Sequence, residues 1–249
     1  MIDKKFIFIS GLHRSGTSLL YKILKENDKI SGLENTNEIE DEGQHVQSVY
    51  EPAYKYGGVG KFGFNENARL DEKSILINDR NRNKLFSEWS KYWNTDKEYL
   101  LEKSPPNIIR TNFLQKMFPN SFFINITRHP IATSIASKKW SKTSLDELLN
   151  HWIICHKIFF KDQKNLKNII NIKYEDLINK NDLELEKISN FLNVKLNQTN
   201  LEIKKNINEK YFKIWRKKGK SIFTKKKIAS LIKKYNDQIE KFDYSLTNV

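Results

Sequence analysis

The segment Phe6 to Glu26 reads FIFISGLHRSGTSLLYKILKE: an apolar run, a small polar loop between Gly11 and Gly16, then Leu19, Leu20, Ile23 and Leu24 at helical spacing. A strand that turns into a helix opening on Gly16-Thr17-Ser18 aims backbone N–H groups and the positive helix end at one point, which is anion-binding chemistry. The glycine spacing matches GxxxxGK[ST], with Thr17 where a phosphate-binding loop has its lysine. The Thr17 and Ser18 hydroxyls can still join the amides around a phosphate or sulfate, and Arg14 inside the loop supplies a cation. Metal support is not evident. The run SFFINIT leads straight into Arg128 rather than into an aspartate that could hold Mg²⁺. A second chemical cluster lies in EIEDEGQHVQ, where Glu42 and His45 stand three apart and share one face of a helical turn. Histidine can deprotonate a hydroxyl near neutral pH, and a neighbouring carboxylate can orient it or act as the base in a dry site.

These groups need a scaffold. Short apolar runs at Phe6–Ser10, Tyr99–Leu101, Ser121–Thr127 and Ile169–Lys173 predict buried strands. Helical patterns at Thr17–Glu26, Asn107–Met117, Ile131–Lys139, Ser144–Asp162 and Leu183–Leu192 alternate with and follow them. That order predicts an α/β fold of three layers, a central parallel sheet flanked by helices on both faces, P-loop-like at its first turn. Ser144 with Glu147 three residues on predicts a capping box, and Pro130 suits a first helical turn. Residues 32–96, with the glycine-rich YGGVGKFGF, predict loops and short helices over the C-terminal edge of the sheet, where open α/β folds bind ligands. No linker divides the chain, so residues 1–249 read as one domain, with 32–96 as an acceptor-side insertion and 204–249 as a basic helical segment.

Length and composition agree with a globular protein able to bury a substantial core. No apolar run is long enough to span a bilayer, and the N-terminus lacks a signal-peptide layout. Cys155 is the single cysteine, which excludes an intramolecular disulfide and a cysteine-based metal site. A cytoplasmic protein is the expectation, and no metal site is predicted. The net charge of +14 concentrates between Lys204 and Lys241, with fourteen basic against three acidic residues. It fits either an anionic partner or a solvated basic face.

HRSGTSLL, ITRHPIATSIASKKW and IKYEDL, in that order, resemble the sulfotransferases that use 3′-phosphoadenosine-5′-phosphosulfate (PAPS). The closest similarity is to the bacterial sulfotransferase-family proteins, with a more distant likeness to the tyrosylprotein and cytosolic enzymes. EDEGQHVQ, LEKSPPN, FLQKMFP and KFDYSL extend the resemblance over most of the chain. It implies that Arg14, Ser15, Gly16, Thr17 and Ser18 hold the 5′-phosphosulfate. It also implies that Arg128 and a hydroxyl on the following helix hold the 3′-phosphate. Family members place that serine eight residues after the arginine; here the position is Ala136, flanked by Ser134 and by Ser137, the preferred candidate. Tyr174 matches a family tyrosine near the 3′-phosphate, or is a core tyrosine at a strand end. PAPS carries two separated anionic clusters and so needs two cradles, and the planar fork of arginine suits a phosphate.

Sulfuryl transfer needs a base, cations around the sulfuryl oxygens and positive charge at the leaving phosphate. Arg14 is the candidate for the sulfuryl oxygens. Lys103, which resembles a lysine of the tyrosylprotein enzymes, is the candidate for the bridging oxygen. Glu42 and His45 are preferred as the base over Glu34, and His13, His129, His151 and His156 are read as loop, turn and helix-face residues. WRKKGK (Trp215 to Lys220) resembles the segment that closes over the 3′-phosphate in cytosolic sulfotransferases, which would involve Arg216 and Lys218. The further glycine and tryptophan residues of that pattern are absent, and Trp215 equally fits a core anchor for a helix through Ile228, Leu231, Ile232 and Tyr235.

The expected function is metal-independent transfer of a sulfuryl group from PAPS to a hydroxyl, less favourably an amine, of a glycan, lipid, peptide or small metabolite. A kinase-like enzyme using Mg²⁺–ATP is one rival. A non-catalytic module that binds an anion or nucleic acid through its basic tail is the other; the sparse aromatics of that tail disfavour nucleic acid.

Overall fold

The computed structural model describes residues 4–196, 201 and 205–249, so the first residue of the predicted basic segment, Lys204, lies outside the described residues. Among the described residues five strands form one parallel sheet: β1 (Lys5–Ser10), β2 (Ile30–Gly32), β3 (Tyr99–Lys103), β4 (Ser121–Thr127) and β5 (Ile169–Lys173), in the spatial order β2-β3-β1-β4-β5. β1 lies in the centre, with Ile7 level with Leu101 of β3 and with Phe122 of β4. All strands run the same way, so the residues that end β1, β3 and β4 open on one edge.

Alternation along the strands sorts the core into two faces. On one, Ile7, Ile9, Ile124 and Ile172 pack against helix α1 (Thr17–Lys25) and against residues further along the chain such as Leu177 and Ile188. On the other, Phe6, Phe8, Leu100 and Phe123 pack against α2 (Asp79–Ser90) through Leu85 and Trp89, and against α3 (Thr111–Met117) through Phe113 and Leu114. The remaining helices are α4 (Pro130–Ser137), α5 (Leu145–Asp162), α6 (Tyr174–Asn179), α7 (Asn181–Leu192), α8 (Glu209–Lys220) and α9 (Lys225–Glu240). Helices cover both faces, so the architecture is the three-layer α/β fold expected, P-loop-like at the β1–α1 turn.

The predicted capping box at the start of α5 is present: Ser144 Oγ accepts the Glu147 N–H at 3.2 Å and Glu147 Oε2 accepts the Ser144 N–H at 2.8 Å. The helix expected over Asn107–Met117 is divided. A 3₁₀ stretch spans Pro105–Ile109, and Arg110 (φ −134°) leaves helical geometry before α3 begins. Arg110 is buried there because its guanidinium donates to the carbonyls of Ala68 and Glu51, each at 3.0 Å. The 32–96 region holds short 3₁₀ turns, but also the twelve-residue helix α2, whose exposed face is so polar that its apolar pattern is hard to read. β2, only three residues long, was not expected.

Candidate active site

The loop after β1 is shaped by positive backbone angles at Gly11 (φ +152°), Arg14 (φ +69°) and Gly16 (φ +106°). A Cβ at Gly16 would run into the Tyr174 ring, so glycine is required by both angle and space. Tyr174 opens α6 directly after β5, and this contact seats the loop against the far side of the sheet edge. Thr17 and Ser18 form the first turn of α1, whose leading amides lack partners within the helix. Ser15 Oγ is buried and has no hydrogen-bond partner.

Arg128, at the end of β4, is buried and lies directly beside that loop. Its Nη1 donates to the Arg14 carbonyl at 2.8 Å and its Nε to Asn208 Oδ1 at 2.8 Å. The guanidinium carbon stands 4.3 Å from the Tyr174 ring centre and 5.4 Å from that of Tyr211. Burial pushes the guanidinium pKa down, and the two rings oppose the shift. Nη2 is buried without a partner. Glu175 secures the arrangement: Oε1 accepts from Asn208 Nδ2 at 2.5 Å and from the His129 N–H at 3.0 Å, while Oε2 accepts the Tyr244 hydroxyl at 3.0 Å. Ser137 meets the same loop at another point: with Leu12, His13, Gly60 and Ser134 it lines a narrow cavity of about 10 Å³. Ala136 is the residue that packs with Tyr211. Arg128 and Tyr174 therefore meet the first loop at Arg14 and Gly16, and Ser137 meets it at Leu12 and His13.

Glu42, His45 and Lys103 form one group. Lys103 Nζ donates to Glu42 Oε1 at 3.0 Å, with both side chains almost wholly buried. Glu42 Oε2 accepts Gln44 Nε2 at 2.5 Å and lies 3.7 Å from His45 Nε2. Tyr54 stacks over His45 with ring centres 6.0 Å apart and planes 14° from parallel. His13, read from sequence as a loop neighbour, faces this group: the charges of Glu42, Lys103, His45 and Arg14 all act on it, and burial holds its pKa down at about 4.

Glu102, next to Lys103 on β3, carries the group from behind. Its carboxylate accepts the Gly43 N–H at 3.0 Å, the Ser104 hydroxyl at 2.5 Å and Asn107 Nδ2 at 2.6 Å. Ser104 Oγ in turn accepts the Gln44 N–H at 3.1 Å, and Trp89 Nε1 donates to the Gly43 carbonyl at 2.9 Å. These bonds bracket the peptide between Glu42 and His45. A Cβ at Gly43 would sit 2.6 Å from Glu102 Cγ and 2.9 Å from Trp89 Nε1, so only glycine lets the loop come this close. Burial raises the Glu102 pKa to about 7, against the lowering effect of Ser104 and Asn107.

A cavity of about 300 Å³ joins the two halves, lined by Arg14, Thr17 and Ser18 on one side and by Glu42 and His45 on the other. Lys103 stands behind Glu42, not in the cavity wall. Glu34 lies outside that wall, half-exposed and paired with Lys25 at 2.8 Å. In the tail, Arg216 pairs with Glu209 and Lys218 is exposed. Trp215 is buried with Ile228, Leu231 and Tyr235, and its Nε1 donates to the Leu246 carbonyl at 3.1 Å. Sequence reasoning missed Asn208, Tyr211 and Glu102. Glu175 and Glu102 stand inside quoted motifs and could have been found there; Asn208 sits in a segment with no signal. Among the described residues no group of three or more His, Cys, Asp or Glu could hold a metal, and no helix is long and apolar enough to cross a membrane.

Residues 7–198 match the sulfotransferase family. The chain belongs to that family. No curated protein sequence matches it. Among solved structures, the chain is similar to the sulfotransferase domain of the olefin synthase of Synechococcus PCC 7002. The identity is 16%, 80% of this chain and 77% of that one are covered, and the TM-score is 0.52. It is also similar to a sulfotransferase from Alicyclobacillus acidocaldarius (14% identity, 87% and 93% covered, TM-score 0.51) and to one from Mycobacterium tuberculosis H37Rv (13%, 78% and 69%, 0.51). At such identities these likenesses establish the fold of this sulfotransferase-family protein; the family match supports sulfuryl-transfer activity in general.

Proposed function

We propose that this enzyme moves a sulfuryl group from PAPS to a hydroxyl acceptor by in-line transfer without a metal ion. The observation that carries the reading is the bond from Arg128 Nη1 to the Arg14 carbonyl. It sets two anion cradles side by side, where one adenylate can span them. The buried, unpartnered Arg128 Nη2 and Ser15 Oγ fit such a ligand, since buried polar atoms are normally satisfied.

In this reading Thr17, Ser18 and the leading amides of α1 hold the 5′-phosphosulfate, and Arg14 reaches the sulfuryl oxygens. Arg128 takes the 3′-phosphate, with Tyr174 keeping the guanidinium flat against it. Both Glu42 oxygens are engaged by Lys103 and Gln44, so His45 is assigned as the base. Glu42 faces Nε2, which leaves Nδ1 to take the acceptor proton while the carboxylate balances the imidazolium. Lys103 fixes Glu42 from behind.

A thermal-shift series tests the assignment: adenosine 3′,5′-bisphosphate and ATP, each with and without Mg²⁺. The bisphosphate raises Tm without Mg²⁺ and ATP gives a smaller shift. Stabilisation by Mg²⁺–ATP alone would favour a kinase-like enzyme.

A further inference from the structure

Three large apolar side chains stand exposed at the mouth of the cavity, from three separate segments: Ile39 (75% exposed), Tyr54 (61%) and Trp140 (66%). Ile39 belongs to the turn before Glu42, Tyr54 to the turn that stacks on His45, and Trp140 to the connection between α4 and α5. Nothing in the fold requires these groups to face water, and their convergence on the catalytic cavity points to a ligand.

A polar groove of about 370 Å³ adjoins the cavity across His45 and Tyr54, and its amide and serine side chains already have partners. Gln44 is held by Glu42 and the Ala53 N–H, Gln47 by the backbone from Gln44 to Tyr50, and Ser48 by Glu88.

We propose that the acceptor is an apolar alcohol, aromatic or aliphatic, seated against Ile39, Tyr54 and Trp140 with its hydroxyl at His45. This deepens the sulfuryl-transfer reading and rests on it. The acceptor oxygen bonds to sulfur as its proton passes to His45. The bond from sulfur to the 5′-phosphate oxygen breaks, and its electron pair leaves on adenosine 3′,5′-bisphosphate. The apolar rim contributes by burying the carrier of the hydroxyl, which raises the local concentration of the nucleophile and excludes competing water.

Two measurements test the acceptor class. With labelled PAPS, kcat/KM for 2-naphthol exceeds that for methyl glucoside. The double substitution Ile39→Ser with Trp140→Ala lowers the 2-naphthol value by about tenfold to a hundredfold. The Kd for adenosine 3′,5′-bisphosphate stays unchanged in that variant. Independently of turnover, Trp140 is the one exposed tryptophan of five, the other four being buried. Titration with 1-octanol therefore gives a saturable blue shift of emission that Trp140→Phe abolishes and methyl glucoside does not produce. Equal turnover of the two acceptors, an unaffected double variant, or no octanol shift overturns the proposal. Failure of the bisphosphate to bind sinks the donor reading instead, and the octanol titration still decides the apolar site.

Discussion

Replacing Glu102 by glutamine tests the clamp behind Glu42 and His45. The carboxyl is fully buried and its pKa rises from 4.5 to about 7 because burial disfavours the charged form. An acid whose folded-state pKa lies above its unfolded value is favoured in the folded protein while protonated. Below pH 4.5 both states hold the proton and the group exacts no penalty. As pH climbs from 4.5 to about 7, the unfolded chain ionises first and stability falls; above that interval the loss is complete and constant. At 1.36 kcal/mol per pH unit the interval amounts to about 3 kcal/mol. Glutamine keeps the shape and an acceptor oxygen but has no proton to lose. Urea unfolding of both proteins at closely spaced pH values, read by tryptophan fluorescence, isolates the effect. The free-energy gap between variant and wild type should move by about 3 kcal/mol in favour of glutamine between pH 4.5 and 8. A gap that stays flat over this range refutes the reasoning, and a gap moving the other way would mean that the Gly43, Ser104 and Asn107 donors outweigh burial.

Lys103→Met leaves the buried Glu42 carboxylate without its cation and should cost about 3 kcal/mol in unfolding free energy, most of which Lys103→Met combined with Glu42→Leu restores. A double variant no more stable than the single would show that the pair is not the coupled unit. His45→Ala should lower kcat by about 10²- to 10⁴-fold with an unchanged Kd for adenosine 3′,5′-bisphosphate, measured by single-turnover kinetics and calorimetry. Loss confined to binding would remove His45 from the chemistry. Arg128→Ala should weaken the 3′,5′-bisphosphate about tenfold to a hundredfold while weakening adenosine 5′-phosphosulfate, which lacks the 3′ group, far less. Equal losses for the two ligands would contradict its place at the 3′ end.

Local physics made much of this protein readable from its residues. The short apolar run in Ser121–Thr127 reads as a strand buried on both faces, and the Ser144–Glu147 pair satisfies helix-end amides in any context. Gly11 and Gly16 mark a turn that other residues resist, so the loop between β1 and α1 was legible before any fold was known. Sequence left the rest open because the deciding forces act between distant segments. β2 is a strand only because β3 offers it a pairing edge, and the break at Arg110 exists because carbonyls 42 and 59 residues away accept its guanidinium. The site follows the same rule. Glu102 holds Gly43 across 59 residues, Asn208 meets Arg128 across 80 and Arg128 meets the Arg14 carbonyl across 114. No periodicity or spacing encodes such contacts. Tertiary packing buries these groups, burial makes an unpaired polar atom costly, and that cost selects their partners.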